Sequence, residues 1–124
     1  MTSNQTILLV DDEITLLRAT QEVLQMSGYQ VLAAASGSEA LNLFDQHQGN
    51  IGLVVTDLAM PDMDGVALMT ALRAQNPQPK IIMMTGNIDL IEDKNHPMHQ
   101  ADLVLAKPFR LPHLLETINM LLPD

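Results

Sequence analysis

Residues 6–13 read TILLVDDE. The apolar run Ile7–Val10 is continuous rather than alternating, which predicts a strand covered on both faces. Asp11, Asp12 and Glu13 follow with no spacer. Consecutive carboxylates at the mouth of a buried strand destabilise it through mutual repulsion and partial desolvation. A helix start explains one or two of them, because its first turn favours acids, but not the whole run.

Outward from this stretch the same pattern repeats. Short runs rich in Val, Ile and Leu occur at Ile7–Val10, Val31–Ala34, Ile51–Val55, Ile81–Met84 and Leu103–Ala106. Between them lie segments of helical period. Leu16, Leu17, Thr20, Val23 and Leu24 share a face, and Ser27-Gly28 supplies a stop. Ser36-Gly37-Ser38-Glu39 fits a capping box ahead of Ala40, Leu41 and Phe44. Val66, Leu68, Met69 and Leu72 form a third stripe, ended near Asn76-Pro77. Residues 88–96 are mostly polar and make a weak fourth helix that Pro97 interrupts. Leu111, Leu114, Leu115, Ile118 and Leu122 carry the fifth. Five strand-helix units in succession predict an α/β fold, a doubly wound parallel sheet with helices on both faces. Residues 6–122 are read as a single domain, in keeping with the length of 124 residues.

Composition narrows the function classes. Fifteen acidic residues against six basic ones give a charge of −9, a surface that repels phosphate backbones and argues against direct nucleic-acid binding. Tyr29, Phe44 and Phe109 are the only aromatic residues, too few for base stacking. The absence of cysteine removes disulfides and Cys-based zinc sites. No apolar run approaches the ~20 residues of a membrane span, and the first strand begins too early to leave room for a secretory signal. A cytoplasmic location is the expectation.

Ligands of parallel α/β sheets bind beyond the C-terminal ends of the strands. Strand one ends at Asp11-Asp12, strand three at Asp57, strand four at Thr85 and strand five at Lys107; strand two ends at Ala35-Ser36, with nothing ionisable. Three carboxylates brought together need a cation among them. The histidines, at 47, 96, 99 and 113, avoid the strand ends and are read as surface residues. An all-oxygen group of this kind suits Mg²⁺. A cation, an ammonium and a hydroxyl around a carboxylate make a receptor for a phosphoryl group, and the central carboxylate can be the nucleophile. Singly, each residue has a blander reading: turn or cap for the aspartates and Thr85, a solvated charge for Lys107. Their joint placement favours the functional one.

Four pieces in order, ILLVDDE, VVTDLAMPDMDG, IIMMTG and LAKPF, make the chain resemble the receiver domain of two-component response regulators over residues 6 to 122. The resemblance implies a flavodoxin-like (βα)5 fold of strand order 2-1-3-4-5. It implies Asp57 as phosphoacceptor, Asp11 and Asp12 as the Mg²⁺ pair, and the backbone carbonyl of Ala59 as a further metal ligand. Thr85 and Lys107 would contact the phosphoryl oxygens, with a cis bond between Lys107 and Pro108. Glu13 is then the ordinary acid of the first helical turn. The implied partners are a histidine kinase or histidine phosphotransfer protein upstream and an output domain or partner protein downstream; a phosphorylation-dependent homodimer is left open. Activity would extend to self-phosphorylation and slow self-dephosphorylation.

Two departures stand out. Val104 occupies the position three before the lysine, where receivers usually carry Tyr or Phe, and Gln100-Ala101 replaces the common Gly-Ala. They mark the fourth helix and fifth strand as unusual and put the usual output switch in question. A competing reading is a Mg²⁺-dependent aspartyl-phosphate phosphatase. Enzymes resembling haloacid dehalogenases want a second Asp two residues after the nucleophile, where this chain has Ala59. A flavin mononucleotide binder is rejected, because DDEIT would repel the phosphate and rings to flank a flavin are missing.

Overall fold

The computed structural model describes residues 6–75 and 77–122. Five parallel strands, β1 (Thr6–Val10), β2 (Val31–Ala34), β3 (Ile51–Asp57), β4 (Lys80–Thr85) and β5 (Leu103–Ala106), form one sheet in the order β2-β1-β3-β4-β5. Five helices alternate with them: α1 (Ile14–Met26), α2 (Gly37–Gln46), α3 (Gly65–Arg73), α4 (Ile88–Glu92) and α5 (Leu111–Leu121). The doubly wound order read from the resemblance is the order found.

Alternate side chains of each strand point to opposite faces, and this splits the core in two. Leu8, Val10, Val54, Ile81 and Met83 pack with Ala40 and Phe44 of α2 and Leu68, Met69 and Leu72 of α3. Ile7, Leu9, Leu53, Val55, Ile82, Met84 and Leu105 pack with Leu17 and Leu24 of α1 and Leu114 and Ile118 of α5. Helix cover on both faces is why the strand runs are uninterrupted in sequence.

Three strands outrun their apolar runs. β3 continues through Thr56 and Asp57, paired with Met83 and Met84 of β4, because the backbone ladder does not depend on side-chain polarity. β1 and β4 likewise take in Thr6, Lys80 and Thr85. Gly28 follows α1 with φ of 100°, the left-handed stop that its position predicts. At α2, Ser36 Oγ accepts from the Glu39 N–H (3.1 Å), while Glu39 Oε1 reaches back to the N–H of Ala35 (2.7 Å). The box is real but closes one residue earlier than the usual pattern. α3 ends at Arg73, with Ala74 as its cap, short of the expected stop; Asn76 lies outside the described residues, as does the segment before Thr6.

The fourth helix is weak, as its composition predicts, but covers only five residues of the expected 88–96, none of them fully buried. Pro97, however, does more than interrupt it. It opens a 3-10 helix, Pro97–Gln100, that delivers Met98 into the core at 0% exposure. Helix α5 carries its stripe to Leu121, and Leu122 caps it from a buried position.

Candidate functional site

The C-terminal edge of the sheet gathers the expected residues. Asp11 follows β1 directly and is 3% exposed. Its backbone N–H donates to Ala34 O (3.1 Å), and its Oδ1 accepts from the N–H of Glu13 (3.0 Å). Glu13 itself is not in the first turn of α1, as the sequence reading has it, but at the N-cap, and its side chain makes no capping bond. Asp11 has turned the chain there, so the helix begins one residue later. Asp12 is exposed beside it.

Asp57 closes β3 and is 9% exposed. Carboxylate oxygens of Asp11, Asp12 and Asp57 lie within 4.8 Å of one another. Among the described residues this is the group of acidic and imidazole side chains able to hold a metal ion. Lys107 enters from the end of β5. Its Nζ lies 3.1 Å from Asp11 Oδ2 and 3.3 Å from Asp57 Oδ2, and its backbone N–H donates to Thr85 O (2.8 Å). The Lys107–Pro108 peptide is cis.

Electrostatics follow from this packing. Burial pushes the Asp57 carboxyl above its ordinary value; the ammonium of Lys107 opposes the rise, and Asp11 and Asp12 add to it. Burial alone would lower Lys107, yet Asp57 and Asp11 outweigh it and hold the ammonium above its ordinary value. Three ionised carboxylates against one ammonium leave two negative charges uncompensated. A hard divalent cation fits an all-oxygen group with that balance.

Thr85 ends β4 at 6% exposure. Its Oγ1 accepts from the N–H of Asn87 (3.1 Å) and makes no hydrogen bond to Asp57; the hydroxyl proton remains to be donated. Ala59 sits exposed two residues past Asp57. It lines an open cavity of about 570 Å³ together with Asp12, Leu58, Asp64, Leu90 and His96. His96, read from sequence as a surface residue, is half-exposed on this wall. Its Nδ1 accepts from the N–H of Met98 (3.1 Å), capping the 3-10 helix and placing the ring in the cavity wall. No sequence signal marks it, because the turn that carries it follows the course of α4 rather than a strand end. Val104 lies half-buried on β5, in a separate groove of about 350 Å³ that includes Ile91, Lys94 and His99.

Comparison with known proteins agrees with this geometry. The family model described as the response regulator receiver domain matches residues 7–119. Sensor kinase CckA of Brucella abortus is 36% identical over 122 residues, covering 98% of this chain and 13% of that protein. Sporulation initiation phosphotransferase F of Bacillus subtilis is 30% identical over 97% of this chain and 95% of its own length. Response regulator TrrA of Thermotoga maritima, solved in complex with Mg²⁺-BeF, superposes with a TM-score of 0.83 at 32% identity, covering 95% and 99% of the two chains. The chain spans less than half the length of several curated relatives that it matches. With the parallel sheet, the acidic edge and the family match together, this chain belongs to the response regulator receiver domains of two-component signal transduction.

Proposed function

We propose that Asp57 accepts a phosphoryl group from a phosphohistidine on a histidine kinase or phosphotransfer protein, in a reaction that requires Mg²⁺. The observation that carries this reading is Asp57 itself: a nearly buried carboxylate at a strand end, 3.3 Å from an ammonium and clustered with two further carboxylates. An oxygen of Asp57 attacks phosphorus, the bond from phosphorus to the donor nitrogen breaks, and the imidazole leaves with the electron pair. Lys107 offsets charge on the phosphoryl oxygens, and the Thr85 hydroxyl donates to one of them once it turns inward. Asp11, Asp12, Asp57 and the backbone carbonyl of Ala59 would hold Mg²⁺, which supplies positive charge to the transferring group.

The likeness to a sensor kinase and to a phosphotransferase supports a phosphorelay role, with an output domain or partner protein reading the phosphorylated state. Residues 6–122, built on one continuous sheet, act as a single domain, and the place of action is the cytoplasm. Among the described residues no helix is long and apolar enough to cross a membrane. Ala59 leaves no acid two residues past the nucleophile, so the chain acts on its own phosphoryl group rather than as a phosphatase of other substrates.

Incubation with acetyl phosphate and Mg²⁺, read by intact mass, tests the assignment. One phosphoryl group is expected on the wild type, none when the metal is chelated, and none on Asp57→Asn, whose amide is a poor nucleophile. Undiminished labelling of that variant refutes Asp57 as the acceptor.

A further inference from the structure

Seven residues, 58–64, lead from β3 to α3, and the protein holds them at two places. At the base, the N–H of Gly65 donates to Leu58 O (2.8 Å). No side chain fits at Gly65, where a Cβ would lie 2.7 Å from Asp57 O and 3.0 Å from Leu58 Cα. At the tip, Asp62 reaches across to the start of α2. Its Oδ2 accepts from Ser38 Oγ (2.7 Å) and from the Ser38 N–H (3.3 Å), and its Oδ1 accepts from the Gly37 N–H (3.4 Å). Met63 packs over Gly37, where a Cβ would lie 2.8 Å from Met63 Cβ. Donation by these groups, the Ser38 hydroxyl foremost, holds the Asp62 carboxyl below its ordinary range.

A helix N-terminus has orphan N–H donors, and Ser36 supplies an internal cap only for that of Glu39. Asp62 takes the N–H groups of Gly37 and Ser38 from outside the helix. The clamp therefore serves two elements together: it completes the cap of α2 and fixes the tip of the loop that contains Ala59. Ala59 lies three residues before Asp62, on the wall of the cavity that also contains Asp12.

We propose that Asp62 is a positioning residue for the metal, pinning the loop to α2 so that the Ala59 carbonyl faces the acidic group. The inference rests on the reading of Ala59 as a ligand given above. An outer partner that orients a ligand commonly changes metal affinity by about 10–100-fold. Linkage also makes the effect reciprocal: if the clamp favours the metal, the metal tightens the clamp.

Calorimetric Mg²⁺ titration of the wild type, Asp62→Ala, Ser38→Ala and the double variant tests this, with amide hydrogen exchange at Gly37 and Ser38. Ser38→Ala keeps the charge at position 62, so a change in its affinity is not a change in net charge; it also serves if Asp62→Ala fails to fold. Each single variant is expected to weaken Mg²⁺ about tenfold, the double no further, and Mg²⁺ is expected to slow exchange at Gly37 and Ser38 in the wild type. Wild-type affinity in Ser38→Ala and Asp62→Ala, with only a lowered Tm, makes Asp62 a cap alone and overturns the inference. A wild type that binds no Mg²⁺ overturns the metal site itself, and is told apart because no variant is then needed to see it.

Discussion

Asp57 carries a cost in the resting protein. Its carboxyl is raised above the ordinary value of 3.8, chiefly by burial and against the pull of Lys107. The folded state therefore holds that proton more tightly than the unfolded chain does. Stability from this group is greatest in acid and falls as pH climbs from about 3.8 through the folded value. Lys107 works in another window: its raised pKa contributes stability below 10.5 that is lost as pH rises through the folded value. Asp57→Asn should thus raise the metal-free Tm at pH 7 by a few degrees, what about 1 kcal/mol does for a domain of this size. The gain should shrink toward pH 4. Differential scanning calorimetry across that range checks it; a Tm lowered at pH 7 would mean that the Lys107 pair outweighs desolvation.

At the scale of elements, α4 and the 3-10 helix after it are held very differently. Read from sequence, residues 88 to 98 form one poorly anchored stretch whose local rearrangement costs little. The structure divides it. No residue of α4 is fully buried; Leu90 and Ile91 pack half-buried against the core, and hydrogen bonds tie the rest: the Leu90 N–H to Asn87 Oδ1 (3.2 Å), the Asn87 N–H to Thr85 Oγ1, and the ring of His99 with Leu90 O (3.1 Å). Residues 97–100 are pinned instead, by Met98 in the core and by Arg73, whose guanidinium donates to Gln100 O (3.0 Å). Arg73 also pairs with Asp102 (3.4 Å), which accepts from the Ile81 N–H (2.8 Å). A phosphoryl group that draws the Thr85 hydroxyl inward disturbs the Asn87 contact first. Val104 is stiff at χ1 and has no hydroxyl with which to change partners. Beryllofluoride with Mg²⁺ should therefore shift the amides of residues 86–96 more than those of 97–100 or 102–106. Larger shifts centred on Val104 in the ¹H–¹⁵N spectrum would place the switch on β5 instead.

For the whole molecule the acidic edge is the weak point of a well-packed sheet, and a bound cation should stabilise the fold. Binding to the native state alone adds RT ln(1 + [L]/Kd), about 1.4 kcal/mol at ten times Kd, or roughly 5 °C in Tm at this size. Thermal melts with Mg²⁺ should show that rise, and Asp12→Ala should blunt it; a Tm indifferent to tens of millimolar Mg²⁺ would remove the metal from the site. What the sequence determined alone is whatever depends on local periodicity. Continuous apolar runs named every strand, β2 and β5 to the residue, and helical stripes named α1, α2, α3 and α5 but not the polar α4 or the 3-10 helix after it, because burial acts on each residue through its own position in the repeat. The candidate site was legible as far as it sits at strand ends, since a parallel sheet gathers those at one edge. Tertiary structure decided the rest. It set Lys107 against Asp11, 96 positions away, tied Asp62 to α2, placed His96 in the cavity wall and drew Met98 into the core. Such contacts join loops to distant elements, and no repeat in the chain records which orphan donor or gap in the core a loop will meet.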